Sequence, residues 1–147
     1  MEKTPILVSS CLLGLRCRYD GGEKADARIL SLGKRRALVP VCPEQLGGLP
    51  TPRPPSERLG DRVLAKDGAD VTDAFRRGAE ETLRLIRALG CREAVLKARS
   101  PSCGCGTIYD GTFSGRVVPG DGVTAALLVE NGVRVLTEED DLAALGR

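Results

Sequence analysis

The sequence predicts a single α/β domain over residues 1–147, with a mostly parallel sheet flanked by helices in a Rossmann-like, three-layer arrangement. Three observations carry this. Short, largely apolar runs recur at 6–8, 37–41, 94–98 and 133–136, and the continuous apolar character of 6–8 marks a strand covered on both faces, as in a parallel sheet. Helical stretches separate them, so strands and helices alternate. The length of 147 residues suits one domain, able to bury roughly 70% of its unfolded surface without disulfides.

Each element has its own justification. The run 6–8 leads into Ser9-Ser10-Cys11, so Cys11 falls just past a strand end, and Asp20-Gly21-Gly22 closes the segment as a turn. A short helix is expected over 24–32, ending near Gly33. The strand 37–41 contains Pro40, which lacks a donor and belongs at an edge or an irregular strand end; Cys42-Pro43-Glu44 follows it. The Pro-rich stretch 51–57 reads mainly as a stiff connector, with Arg53 and Glu57 facing a site as the lesser alternative. A strand candidate at 62–65 precedes the clearest helix, 72–89, where Ala74, Phe75, Ala79, Thr82, Leu83, Ile86 and Leu89 keep helical spacing, Thr72 is placed to cap the start, and Gly90 suits the far end. Cys91 comes before the strand 94–98, at the opposite sheet edge from Cys103, and is expected to be a bystander. The Gly-rich segment 108–115 is placed to cover a site. A helix over 123–130 with Asp121 as its cap, a strand over 133–136 and a terminal helix over 138–145, begun by the Thr137/Asp140 capping-box spacing, complete the expectation.

Composition narrows the chemistry. A net charge of +2, with 22 Lys+Arg against 20 Asp+Glu, gives no electrostatic reason for a nucleic-acid or acidic-membrane partner. No run approaches the roughly 20 apolar residues of a membrane helix, and the start of the chain has no signal-peptide core; a cytoplasmic protein is expected. Histidine is absent, which removes every Ser/His or Cys/His catalytic pair and every His-containing metal site. The six cysteines, Cys11, Cys17, Cys42, Cys91, Cys103 and Cys105, therefore read as metal ligands or redox groups.

In a parallel sheet, ligands bind beyond the carboxyl ends of the strands. Cys11, Cys42 and Cys103 each follow a different predicted strand, so all three are expected at that edge. Zinc-type paired spacings are missing, and a soft-metal cluster with one iron lacking a protein thiolate fits the pattern better. Two other readings stay open: a structural zinc- or iron-binding module, and a cluster-free enzyme using Cys103 or Cys105 as a nucleophile or sulfur carrier. Cys17 and Cys105 remain substitutes among the ligands.

Longer motifs add a resemblance. Val8-Ser9-Ser10-Cys11-Leu12-Leu13-Gly14 with Cys17-Arg18-Tyr19-Asp20-Gly21, and Val41-Cys42-Pro43-Glu44 with Gly47-Gly48-Leu49-Pro50 and Pro52-Arg53, resemble the domain of unknown function 523 family. The stretch 97–104 and Asp110-Gly111-Thr112-Phe113-Ser114-Gly115 through Gly122-Val123-Thr124-Ala125 extend the likeness over nearly the whole chain. The family includes thiouracil desulfidases. The resemblance implies a 4Fe-4S cluster held by Cys11, Cys42 and Cys103, Glu44 as the acid/base carboxylate, and Ser102 as a hydroxyl aiding proton transfer or positioning, with Ser100 as second choice. It implies a small thiolated base such as 2-thiouracil as substrate, sulfur capture on the open iron without net redox change, and an oxo-base plus hydrosulfide as products.

Overall fold

The structure is a computed structural model that describes residues 3–146. Its centre is a four-stranded sheet of β1 (Ile6–Ser9), β2 (Leu38–Val41), β5 (Glu93–Leu96) and β8 (Arg134–Thr137), in the order β2-β1-β5-β8. Every pairing is parallel, with Ser9 opposite Val41, Val8 opposite Val95, and Leu96 opposite Thr137. The carboxyl ends therefore finish in line, and whatever follows them shares one edge. β2 is an edge strand, which accommodates the missing donor of Pro40.

Alternation along the strands builds two cores. Ile6, Val8 and Val95 pack with Ile29 and Leu32 of α1 (Ala27–Leu32) and with Leu142 and Leu145 near the C-terminus. Leu7, Ala94 and Leu96 pack on the other face with Leu83 and Ile86 of α3 (Thr72–Leu89) and Ala125 and Leu128 of α4 (Val123–Glu130). The expected three layers follow from this period of two. Fully buried side chains such as Ile6, Leu7, Ile29 and Leu128 each contribute roughly 1.5–3 kcal/mol by leaving water.

Several local expectations are corrected. Thr72 does not cap α3: Val71 holds the cap position, while the Thr72 hydroxyl accepts from Val63 N (2.9 Å) and donates to Asp70 Oδ1 (2.5 Å). Asp121 does not cap α4, which starts from Gly122; its Oδ1 accepts from Gly106 N at 2.7 Å. No α-helix spans 138–145. Half of the capping box forms, with Asp140 Oδ2 accepting from Thr137 N (2.8 Å), while Thr137 Oγ1 accepts from Glu139 N (3.2 Å) instead of Asp140 N. The chain then turns so that Leu142 and Leu145 reach the core, leaving one 3₁₀ turn at Ala143–Gly146.

Two hairpins stand over the carboxyl edge: β3 (Ser56–Leu59) with β4 (Arg62–Ala65), and β6 (Thr107–Tyr109) with β7 (Val117–Pro119). The first absorbs the end of the expected connector 51–57. A one-turn helix, α2 (Pro43–Leu46), leaves β2 and presses on α3 with almost no space between backbones. A Cβ on Gly47 would lie 1.9 Å from Ala74 O, and one on Gly78 would lie 1.9 Å from Pro43 O. Only glycine at both positions lets α2 sit there, and α2 carries Glu44 directly behind Cys42.

Candidate metal and substrate site

A cavity of about 540 Å³ opens at the carboxyl edge of the sheet. Cys11, Cys42 and Cys103 all line it, and so does Cys17. Cys11 lies in the 3₁₀ turn Ser10–Leu13 directly after β1, Cys42 between β2 and α2, and Cys103 in the turn after β5. The turn at Cys103 is shaped by Ser100, whose Oγ accepts from Ser102 N (3.1 Å) and Cys103 N (3.0 Å). Parallel strand direction thus gathers thiols that are far apart in sequence.

The thiols are desolvated. Cys11, Cys17 and Cys103 are 7%, 6% and 5% exposed, and Cys42 is half-buried. Burial pushes the Cys103 thiol up to about 12, against weaker opposing hydrogen bonds from Ser9 and Ser102. The contact with Cys17, followed by burial, drives Cys42 upward, and the Cys17 thiol is raised chiefly by its contact with Cys11. Burial favours the protonated form of these thiols, which become strong soft-metal ligands once a metal displaces their protons. Among the described residues no three His, Cys, Asp or Glu side chains stand close enough to share one ion. A cluster binds each thiolate through a different iron and so takes a wider set of donors; the four thiols around one cavity fit it.

Glu44 lines the same cavity, and Arg53 fixes its position. Arg53 Nε donates to Glu44 Oε1 at 3.0 Å, with only 5% of the Arg53 side chain exposed. The same guanidinium donates to Cys17 O (2.9 Å), Thr51 Oγ1 (2.9 Å) and Pro50 O (3.1 Å). Arg53 therefore faces the site, and so does Glu57, so the stretch 51–57 is part of the cavity wall and not a mere connector. The signal was the pair of charged residues on a stiff Pro-rich segment, which presents side chains with little entropy to lose. Arg18, Lys24 and Lys66 line the cavity too. The resulting positive surroundings suit an anionic group in the cavity, a feature invisible in the near-neutral total charge.

The other expected residues lie elsewhere. Ser102 is 1% exposed and does not line the cavity; its Oγ is 2.8 Å from Thr124 Oγ1 on α4, and its hydroxyl lies against the Cys103 thiol. Ser100 does line the cavity. Cys105 and Cys91 lie outside it. The Cys105 Sγ points toward Val135 O (4.0 Å), and Cys91 packs in the α3–α4 core. None of the described helices is long and apolar enough to cross a membrane.

A parallel α/β sheet with a thiol-lined cavity at its carboxyl edge puts the chain in the class of α/β proteins whose site lies beyond the strand ends. Residues 6–140 match the model of the 2-thiouracil desulfurase family, and the chain belongs to that family. It is 43% identical over 145 residues to the uncharacterized protein YbbK of Bacillus subtilis (strain 168), covering 92% of this chain and 96% of that protein. It also superposes on the 4Fe-4S-dependent thiouracil desulfidase TudS with a TM-score of 0.89 and 49% identity, covering 93% of this chain and 92% of TudS.

Proposed function

We propose that this chain, acting as one cytoplasmic domain, is a 4Fe-4S-dependent desulfidase that replaces the sulfur of a thiolated pyrimidine such as 2-thiouracil with oxygen. The observation that carries the reading is the meeting of Cys11, Cys42 and Cys103, from three separate strand ends, in one cavity that also holds Glu44. Membership of the desulfurase family and the likeness to TudS support it. Cys11, Cys42 and Cys103 are the ligands in this reading. When bound, the cluster supplies a soft Lewis acid with an open position suited to a thione sulfur.

The chain's own groups do the rest. Glu44 is a hard carboxylate, a poor partner for soft iron, and serves in proton transfer as water adds to the ring carbon and hydrosulfide leaves. Arg53 holds that carboxylate at the cavity wall. Thione plus water gives the oxo-base plus hydrogen sulfide, so no electrons are exchanged with a further partner. A cluster-free thiol nucleophile is poorly supported, because burial raises Cys103 and Cys105 where such a nucleophile needs a lowered thiol.

The test is anaerobic preparation followed by iron and sulfide analysis and incubation with 2-thiouracil. About four irons and four sulfides per chain, with equimolar uracil and hydrosulfide released, is the expected result. A closed zinc site, or a full cluster that releases no uracil from 2-thiouracil, overturns the reading.

A further inference from the structure

The aromatic residues of this chain are few and unevenly placed. The sequence has two Tyr, two Phe and no Trp; Phe75 is 1% exposed in the core, whereas Tyr19, Tyr109 and Phe113 all line the cavity of the thiols. Phe113 is held there against its own backbone preference. Its φ is 56°, the left-handed region that a side chain with a Cβ rarely occupies, and such residues persist only where the surroundings enforce them.

The enforcing group is identifiable. Glu57 on β3 reaches across to the loop between β6 and β7, and its single Oε1 accepts from Gly111 N (3.0 Å) and Phe113 N (3.1 Å). The loop tip is closed on itself as well: Asp110 Oδ1 accepts from Thr112 N (2.9 Å), and Thr112 Oγ1 lies 2.6 Å from Ser114 Oγ. Arg58, the next residue of the hairpin, donates to Asp121 O at 2.7 Å, so β3 is also tied to the turn that leads from β7 into α4. A carboxylate spent on two backbone N–H groups, next to a strained aromatic, is an arrangement for fixing that ring in place.

We propose that Phe113 is the aromatic wall on which the flat heterocycle stacks, and that Glu57 is the positioning residue that sets this wall by clamping residues 111 and 113. The proposal rests on the reading of the cavity as a site for a thiolated base. Stacking uses the π-face that every pyrimidine has and asks nothing of its sulfur. The aromatic wall therefore holds the ring while the thiols and Glu44 address the exocyclic atom, which separates recognition from chemistry within one cavity.

Uracil tests this directly, because it has the ring without the sulfur. On the reconstituted protein, its dissociation constant is measured by equilibrium dialysis, alongside KM and kcat for 2-thiouracil, iron content and Tm. Phe113→Leu is expected to weaken uracil binding and raise KM by roughly tenfold, with iron content and kcat close to wild type. Glu57→Ala should show the same weakening, the double variant should be no weaker than Phe113→Leu alone, and Glu57→Gln, whose amide oxygen still accepts both N–H groups, should restore binding. Unchanged uracil binding in Phe113→Leu overturns the proposal while leaving desulfuration standing. Weakened binding in Glu57→Ala that adds to that of Phe113→Leu, or that Gln does not rescue, overturns the clamp. Phe113-dependent uracil binding in a wild-type protein that releases no uracil from 2-thiouracil supports the base site and sinks the reaction. A wild-type protein that does neither sinks both.

Discussion

Cys91 and Cys103 flank the same strand, β5, and by burial they are alike. They are 6% and 5% exposed, and desolvation raises both thiols. Yet Cys103 lines the cavity with Cys11, Cys17 and Cys42, while Cys91 packs among Leu83, Ile86 and Leu128. The difference lies in chain direction. In a parallel sheet every strand end that can supply a ligand points the same way, so a thiol after the strand joins the others and a thiol before it cannot. Burial and a raised thiol do not mark a functional cysteine by themselves; a buried Cys is as often a small hydrophobe.

The largest expected effect sharpens this contrast. Cys103→Ala, Cys42→Ala and Cys11→Ala should each lose most of the iron after anaerobic reconstitution, while Cys91→Ala keeps it and loses only about 1 kcal/mol of stability to a small cavity. Iron and inorganic sulfide per chain are the measurement, and a full cluster in Cys42→Ala would sink the ligand assignment.

Glu44→Gln divides the cavity more finely. The amide keeps the shape and an acceptor for Arg53 but cannot carry the proton, so iron content should stay while uracil release falls roughly 10²-fold or more. Near-normal turnover with an intact cluster would remove Glu44 from the chemistry, and joint loss of iron and activity would make it structural.

Gly78→Ala tests how the Cys42 side of the site is held, from a residue that touches neither metal nor substrate. Its Cβ would meet Pro43 O at 1.9 Å, and neither that backbone oxygen nor the Cβ can turn aside, so α2 must move. A loss of roughly 1–3 kcal/mol is expected from overpacking, read as a lower denaturant midpoint, together with a lower iron content. A variant as stable as wild type, with full iron, would show that α2 has room to shift.

The smallest effect belongs to a surface carboxylate remote from the cavity. Hydrogen bonds from Thr72, then from Arg62, hold the Asp70 carboxyl well below the usual carboxylate range. A depressed carboxyl contributes stability that is present above its ordinary value of about 4 and is lost as the pH falls through the folded value. Asp70→Asn should therefore flatten the fall of Tm between about pH 4 and pH 2 without changing iron content. An unaltered acid limb would assign the acid sensitivity to other carboxylates.

What the sequence determined by itself was the set of elements whose signals are local. The apolar runs of β1, β2, β5 and β8, the long spacing pattern of α3 and the edge position implied by Pro40 need only the chain's own periodicity. Strand direction then placed Cys11, Cys42 and Cys103 at one edge, because a parallel topology converts order along the chain into position in space. The Thr137/Asp140 signal shows where local reading stops: the Asp140 carboxylate does accept from Thr137 N, but a turn motif cannot propagate a helix against the pull of Leu142 and Leu145 into the core. Only the tertiary structure decided that Arg53 pairs with Glu44, that Glu57 clamps residues 111 and 113, that Ser102 faces Thr124, and that three of the aromatics share the thiols' cavity. Each of these joins segments whose side chains have no periodic relation to one another. Their meeting depends on how hairpins and loops lie over the sheet edge, which is set by the packing of the whole domain.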